Sequence, residues 1–382
     1  MRQLLFDVYD VPPATGSVLV HIGLTLSRQP REARADTGGG FFVSPLVFLT
    51  HQGDHMSRDR RSFLTGVVAV AAAAFYPPRA SAAEIASIGL DYAYYNPVSL
   101  VLKDKGWLEE ALSRRGTKVD WVLSLGSNRA NQFLAANAVQ FGSTAGSAAF
   151  LARANGAPIK TVFLYSRPEW TAIVIGKDSP LKSVKELKGK KIAATRGTDP
   201  WFFLIRSLRA NGLDQADVEI VDLQHPDGRA ALERGNVDAW AGLDPHMAAS
   251  ELDAGSKLLY RNVNFNTFGA LNAREDFLSD HPDLVAIVLE QYQRARNYAI
   301  AHPDQAAKIL AQASKLELRV ATVEVHDRTQ YPDFIPGRAF HDAVAGVVDI
   351  VRAERLTQPG ADLERALASL VDAQPAKHIA RG

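Results

Sequence analysis

The chain has no cysteine and only 3 methionines in 382 residues. The first absence excludes disulfides, thiolate metal centres and cysteine nucleophiles, and is compatible with an oxidising compartment. An excess of charge of one sign is missing as well, because 43 Lys and Arg against 42 Asp and Glu leave a formal net charge of +1. Without a global field to attract nucleic acid or an anionic membrane, neither is expected as a partner. Beyond residue 82 no apolar run reaches the ~20 residues that a bilayer requires. The chain also lacks a G-x-S-x-G elbow, a phosphate-binding P-loop, a dinucleotide glycine pattern and H-E-x-x-H. His225, His246, His281, His302 and His326 are scattered without metal-ligand spacing, so surface or capping roles are their default. No cofactor, metal or catalytic residue is expected.

What is present begins with an export pattern. Arg60-Arg61-Ser62-Phe63-Leu64 precedes a mildly apolar Ala/Val stretch from Gly66 to Phe75, then Arg79 and the small-residue site Ala80-Ser81-Ala82. Paired arginines before Phe-Leu and an A-x-A site resemble a twin-arginine signal, cut after Ala82. The run has no amphipathic period and is too short to span a bilayer. A signal needs its basic region near the amino terminus, so residues 56–82 are read as the signal, Met56 as the start, and 1–55 as a non-native or disordered extension. His51 and His55 within that extension are four apart but lack the Glu of a zinc-protease helix.

From Glu84 onward short apolar runs alternate with helical segments, which predicts α/β architecture with largely parallel strands. Strands are expected at 85–90, 118–123, 138–142, 161–165, 171–176, 191–194, 219–223, 239–241 and 269–272. Helices are expected at 97–105, 129–136, 147–155, 183–187, 200–211, 228–234, 245–252, 282–301 and 303–313. Asn96-Pro97 is a helix start, with Asn96 as cap and Pro97 in the first position. Two βα-rich halves and a helical return divide the chain into lobe 1, residues 83–168 and 269–382, and lobe 2, residues 169–268. Ligands of such folds sit between lobes, beside strand carboxyl ends and helix amino ends.

Three strand-to-helix junctions carry small or hydroxyl residues: 142–147 (Gly-Ser-Thr-Ala-Gly-Ser), 195–200 (Thr-Arg-Gly-Thr-Asp-Pro) and 242–245 (Gly-Leu-Asp-Pro). Unpaired N-H groups at a helix start, with the positive end of its dipole, can hold an oxyanion, and the hydroxyls of Ser143, Thr144 and Thr198 would add neutral donors. Plain capping accounts for each junction taken alone, and Asp199 and Asp244 would either cap their own helices or face a cationic part of a ligand. Tyr94, Tyr95, Trp170, Trp201 and Trp240 could wall an organic group or pack in the core, and Arg167 and Arg196 are the nearest cations.

These residues resemble a family. The run Asp178-Ser179-Pro180-Leu181-Lys182-Ser183-Val184 to Leu187-Lys188-Gly189-Lys190-Lys191-Ile192 matches D-S-P-I-K-(S/T)-V-x-x-L-K-G-K-K-(V/I) of aliphatic sulfonate-binding components of ABC transporters, within the nitrate, sulfonate and taurine-binding group. Leu208-Arg209-Ala210-Asn211-Gly212-Leu213, Arg229-Ala230-Ala231, Gly235-Asn236-Val237-Asp238-Ala239-Trp240, Asp244-Pro245 and Phe141-Gly142-Ser143-Thr144 follow in the family's order and spacing. The resemblance implies a two-lobed periplasmic binding protein of type II, a non-enzymatic monomer that closes on a small organic anion and hands it to a permease with a cytoplasmic ATPase. Its ligand set would be drawn from Tyr95, Asn96, Ser143, Thr144, Trp170, Arg196, Gly197, Thr198, Asp199, Trp201 and Asp244. The chain departs from the family where Gly197-Thr198-Asp199-Pro200-Trp201 replaces a Gly-Ser-x-x-His loop, where Ala145-Gly146 replaces Gly-Asp, and where Leu243 replaces an aromatic. A sulfonate such as an alkanesulfonate or taurine is expected. Nitrate, a carboxylate or a thiamine pyrimidine, or an exported enzyme or sensor on the same fold, are the alternatives.

Overall fold

The computed structural model describes residues 85–381. The signal, its cut after Ala82 and the extension before Met56 lie outside the described residues.

Strand β1 (Ser87–Tyr92) pairs in parallel with β2 (Lys118–Leu123), in register from Ser87 opposite Lys118 to Tyr92 opposite Leu123. Helices α1 (Pro97–Lys105) and α2 (Trp107–Ser113) connect them. The start of α1 is fixed as its sequence predicts: Pro97 occupies the first turn, and the Asn96 side chain accepts from the Ser99 N-H at 3.3 Å. Then follow α3 (Ser127–Ala135), β3 (Phe141–Ala145), α4 (Gly146–Ala154) and the long β4 (Ile159–Pro168).

The chain next builds a second sheet from β5 (Ile173–Ile175), β6 (Lys191–Ala194), β7 (Glu219–Asp222), β8 (Ala239–Ala241) and β9 (Lys257–Tyr260). Helices α5 (Asp199–Ala210), α6 (His225–Glu233) and α7 (His246–Ala254) flank it. It returns through β10 (Gly269–Arg274) to the first sheet, and α8 (Glu275–Asp280), α9 (Pro282–Ala301) and α10 (Pro303–Ser314) begin the helical tail. A two-residue strand β11 (Thr329–Gln330) closes the edge of the first sheet on β4.

The strand orders are β11-β4-β10-β3-β1-β2 and β7-β6-β8-β5-β9. The two-lobed α/β architecture is thus present, with 168–173 and 260–269 crossing between the sheets. In the first sheet β1 has β2 on one side and β3 on the other, and in the second β6 lies between β7 and β8. Successive connections therefore leave in opposite directions from β1 and from β6, opening a crevice at the strand carboxyl ends.

The elements differ from expectation where pairing is non-local. The third strand, expected at 138–142, runs over Phe141–Ala145 because β10 zips antiparallel along it from Gly269 opposite Ala145 to Ala273 opposite Phe141. The Ser143-Thr144-Ala145 part of the expected strand-to-helix junction is therefore strand. The helix expected at 228–234 starts earlier, at His225, and 184–187 is a 3-10 turn with no side-chain cap. Neither α2 nor β9 was anticipated.

Packing explains how these elements hold together. One apolar cluster seats α9 and α10 on α1 and the first sheet through Val98, Val101, Leu289 and Leu310. A second joins Phe150 of α4, Phe202 and Phe203 of α5, and Phe340 of the tail helix Arg338–Ala345. Its apolar side chains come from both sheets, so the tail fastens the lobes on one flank. Among the described residues no helix is long and apolar enough to cross a membrane.

Candidate functional site

Asp91 is the last residue but one of β1, at the crevice of the first lobe. Its Oδ1 accepts from the Ser143 N-H at 2.7 Å, so the carboxylate bridges β1 and β3 where the two strands part. Asp91 is fully buried, and the Ser124 hydroxyl beside it is the donor that can turn to its Oδ2. Burial pushes the Asp91 carboxyl up to about 7, against the pull of Ser124 and Ser143.

Tyr95 and Asn96 close over the same strand end. The Tyr95 hydroxyl donates to the Ser143 carbonyl at 2.9 Å, and the Asn96 amide donates to Ser143 Oγ at 2.8 Å. Tyr292 of α9 reaches in beside Asp91 and Ser143 with its hydroxyl unpartnered. Thr144 faces elsewhere: its Oγ1 accepts from the Asn272 amide at 2.7 Å and donates to the Ala145 carbonyl at 2.9 Å, within the sheet.

The crossing segments meet at Asp199, the first residue of α5. Its Oδ1 accepts from Ser147 Oγ at 2.6 Å and Thr267 Oγ1 at 2.8 Å, while Oδ2 accepts from the Thr267 N-H at 2.7 Å and Trp170 Nε1 at 3.0 Å. Those donors come from α4 and from both crossing segments. Asp199 therefore fastens the hinge from inside, with its lone pairs occupied by the protein. Trp170 continues the line, its ring edge-on to Tyr95 at 5.9 Å and its carbonyl accepting from the Asp244 N-H at 3.0 Å.

Asp244 is likewise engaged. Its Oδ1 accepts from the Ala248 N-H at 2.9 Å, both its oxygens accept from Arg328 Nη1, at 2.9 and 3.1 Å, and Arg328 also binds Glu251. Arg328 follows the π-helical turn Val323–Asp327, so the tail grips α7 of the second lobe through a buried guanidinium. Glu324 in that turn is fully buried, and burial, reinforced by Asp244, holds its carboxyl well above the usual range.

In the second lobe Gly197 has φ of +76°, a left-handed conformation that suits glycine, and a Cβ there would lie 3.6 Å from Leu151 of α4. Thr198 Oγ1 donates to the Thr195 carbonyl at 2.6 Å. Arg196 is exposed over the Trp201 ring and shares a separate pocket with Trp201, Asp222 and Ile220 on that lobe. The structure thus unites Tyr95, Asn96, Ser143, Trp170, Asp199 and Asp244 in one connected array. Gly197 and Thr198 stand at its second-lobe edge, Thr144 in the sheet, and Arg196 with Trp201 apart.

Sequence reasoning passed over His225, which occupies the first turn of α6 and is fully buried. An ideal Cβ on Gly126, the residue capping α3 in the other lobe, would sit 3.1 Å from His225 Nε2 and Cδ2. Only the missing side chain at Gly126 lets the lobes approach so closely. Thr195 Oγ1 donates to the Leu223 carbonyl at 2.6 Å and lies 3.1 Å from His225 Nδ1. With the hydroxyl proton spent on Leu223, Nδ1 carries the ring proton and donates to Thr195, leaving Nε2 a bare acceptor without a partner. Burial, with a further push from His246, drives His225 down to about 3, and burial with Arg229 drives His246 to about 4. Gln224-His225-Pro226-Asp227 is also a strand-to-helix junction, but it lacks the small and hydroxyl residues that marked the other three. Asp91 near the end of an apolar strand was a visible signal.

The ends of α3 and α6 thus meet across the lobes. Neither helix has a side-chain cap at its amino end. Two positive dipole ends brought together repel unless negative charge lies between them. Such an arrangement can hold an oxyanion through backbone N-H groups. Among the described residues no group of His, Cys, Asp and Glu is arranged to hold a metal.

Known proteins are similar to this chain in sequence and fold. The family model described as NMT1/THI5 like matches residues 98–306. A protein of Bacillus subtilis (strain 168) with the provisional name of aliphatic sulfonates-binding protein is 31% identical over 224 residues, 58% of this chain and 68% of its own. Its namesake from Escherichia coli (strain K12) is 29% identical over 52% of this chain and 63% of its own. The solved alkanesulfonate-binding protein SsuA of Xanthomonas axonopodis pv. citri, bound to MOPS, superposes with a TM-score of 0.68 at 26% identity, covering 75% of this chain and 99% of that one. The shared segment includes α1, both crossing segments and the ends of α3 and α6, and the chain belongs to the NMT1/THI5-like family.

Proposed function

We propose that the protein is the substrate-binding component of an ABC importer, exported by the twin-arginine signal at residues 56–82 and carrying a small organosulfonate between lobe 1, residues 83–168 and 269–382, and lobe 2, residues 169–268. The observation that carries this reading is the meeting of two uncapped helix ends, at Gly126 and His225, from opposite lobes. A sulfonate spreads one negative charge over three oxygens and suits convergent neutral donors. The names of the relatives point to the same ligand class.

The binding step is one of hydrogen bonds and lobe closure, with no covalent chemistry. For Nε2 of His225 to serve a sulfonate oxygen, the Thr195 hydroxyl turns from the Leu223 carbonyl to Nδ1. The ring proton then resides on Nε2. A hydroxyl rotation and a tautomer change supply the donor without a net change in charge. A ligand that touches both lobes binds the closed arrangement better than an open one, which is what drives closure. Tyr95 and Trp170, packed edge to face, flank the carbon portion. Transfer to a permease follows from the carrier role.

Titration calorimetry tests this on purified protein, unfolded and refolded to strip carried ligand. Ethanesulfonate and longer alkanesulfonates should bind at micromolar or tighter concentration, with sulfate weaker. Binding of nitrate or a thiamine pyrimidine alone would keep the carrier and replace the ligand. Chemical turnover of a bound sulfonate would replace the carrier with an enzyme.

A further inference from the structure

We propose that Asn128 is a specificity-determining residue of this site: its amide faces His225 from the opposite lobe and turns over to donate when an oxyanion arrives between them. The inference rests on the reading of a sulfonate carrier and adds to it the side chain of lobe 1 that grips the anion.

Asn128 stands in the first turn of α3, just past Gly126. A Cβ built on Gly126 would lie 2.8 Å from Asn128 Oδ1 and 3.1 Å from His225 Nε2. The two side-chain atoms are therefore no farther apart than those distances laid end to end, and they belong to different lobes. Both atoms are buried, and neither has a hydrogen-bond partner. As oriented, both are acceptors, so their closeness gains nothing and each bears the cost of a buried polar atom without a donor. The uncapped amino ends of α3 and α6 meet at the same place, and their positive dipole ends favour negative charge there.

Neither group is fixed as an acceptor. A half-turn of the Asn128 amide exchanges Oδ1 for Nδ2, which only donates, and the tautomer change already described does the same for His225. With both reversed, the oxygens of an anion meet two neutral donors, one from each lobe. The protein's net charge stays the same. Without ligand the two acceptors offset the helix ends, and with ligand the anion takes over that task. A carboxylate at position 128 cannot make the exchange, because an ionised carboxylate only accepts. Asn128→Asp would place a fixed negative charge where the ligand's belongs, repelling the anion and drawing the ring proton of His225 onto Nε2.

The experiment titrates ethanesulfonate into the wild type, Asn128→Ala and Asn128→Asp, and reads the His225 ring nitrogens by NMR of histidine labelled with nitrogen-15, assigned through His225→Phe. Asn128→Ala should bind about ten- to a hundredfold more weakly than the wild type, the loss of one hydrogen bond to a charged group. Its melting temperature without ligand should hold, because Oδ1 makes no hydrogen bond in the protein alone. Asn128→Asp should bind at least about a hundredfold more weakly, and its His225 should carry the proton on Nε2 without ligand, where the wild type carries it on Nδ1. Affinity within about threefold of the wild type in either variant overturns the role of Asn128 while leaving the sulfonate carrier standing. A loss of affinity matched by a fall in melting temperature would make Asn128 a prop of α3, and overturns it too. If Asn128→Asp fails to fold, Asn128→Ala decides alone. If the wild type binds no sulfonate, the carrier reading fails, and the His225 ring in Asn128→Asp still decides: a proton on Nε2 supports the facing pair, and one left on Nδ1 overturns it.

Discussion

The Asp199 carboxylate takes both the backbone N-H and the hydroxyl of Thr267, at 2.7 and 2.8 Å, and so ties the start of α5 to the segment on which the chain returns to the first lobe. Ser147 and Trp170 complete the set, one from α4 and one from the outward crossing. All the partners donate. Asn would be a poor test, because the Ser147 and Thr267 hydroxyls on Oδ1 can turn and accept from its amide. Asp199→Ala removes every acceptor and leaves the buried Thr267 N-H and Trp170 Nε1-H, which can only donate, without a partner. Denaturant unfolding should show a loss of about 2–4 kcal/mol with an unchanged m-value. Retained stability in Asp199→Ala would mean that the hinge does not depend on this carboxylate.

Gly126 makes a different kind of contact, because what matters there is the absence of a side chain. In Gly126→Ala the new methyl would lie 3.1 Å from the His225 ring and 2.8 Å from Asn128 Oδ1. Asn128 can swing away. The imidazole, held by Thr195 and fully buried, cannot give without separating the lobes. Parting the lobes relieves the contact, so the cost falls on closure rather than on folding. A closure penalty of about 1–2 kcal/mol corresponds to affinity weakened roughly five- to thirtyfold. The melting temperature without ligand should hardly move, and small-angle scattering with ligand should show a larger radius of gyration than the wild type. Unchanged affinity would show that the lobes do not close upon Gly126.

Much of this fold was legible in the sequence, because its helices carry local signals. Pro282–Ala301 and the Asn96-Pro97 start of α1 appear where the pattern places them. Strand ends were less legible. Phe141–Ala145 is a strand because β10, more than a hundred residues away in the chain, pairs along it, and no local pattern at Gly142-Ser143-Thr144 reports that partner. The candidate site divides in the same way. Hydroxyl-rich junctions were visible, but hydrogen bonding decides how each carboxylate is engaged. Asp199 and Asp244, expected to cap their helices or face a ligand's cation, are engaged within the protein, while Asp91, one residue past the strand expected at 85–90, drew no notice and is buried at the crevice. His225 was given a surface or capping role for want of metal-ligand spacing, and it does open its helix, yet it is completely buried against Gly126.

Asp91 and His225 also titrate in opposite senses, which gives the last expectation. Burial lowers His225 to about 3 from an ordinary 6.5, so between those values the folded protein binds fewer protons than the unfolded chain. The stability contributed at His225 is complete above pH 6.5 and is lost as pH falls. Asp91, raised from 3.8 to about 7, has the reverse effect: the folded form holds the extra proton, and stability is lost as pH rises through that range. Each group contributes a slope of up to about 1.4 kcal/mol per pH unit. Relative to the wild type, His225→Phe should therefore gain stability as pH falls from 6.5 to 4.5, and Asp91→Asn should gain it as pH rises from 4.5 to 6.5. Urea unfolding of the ligand-free proteins at several pH values measures both differences, and because each is taken against the wild type, the titration of surface carboxylates cancels. Slopes of the same sign for the two variants would show that one of these groups does not hold the buried, neutral form on which the candidate site is built.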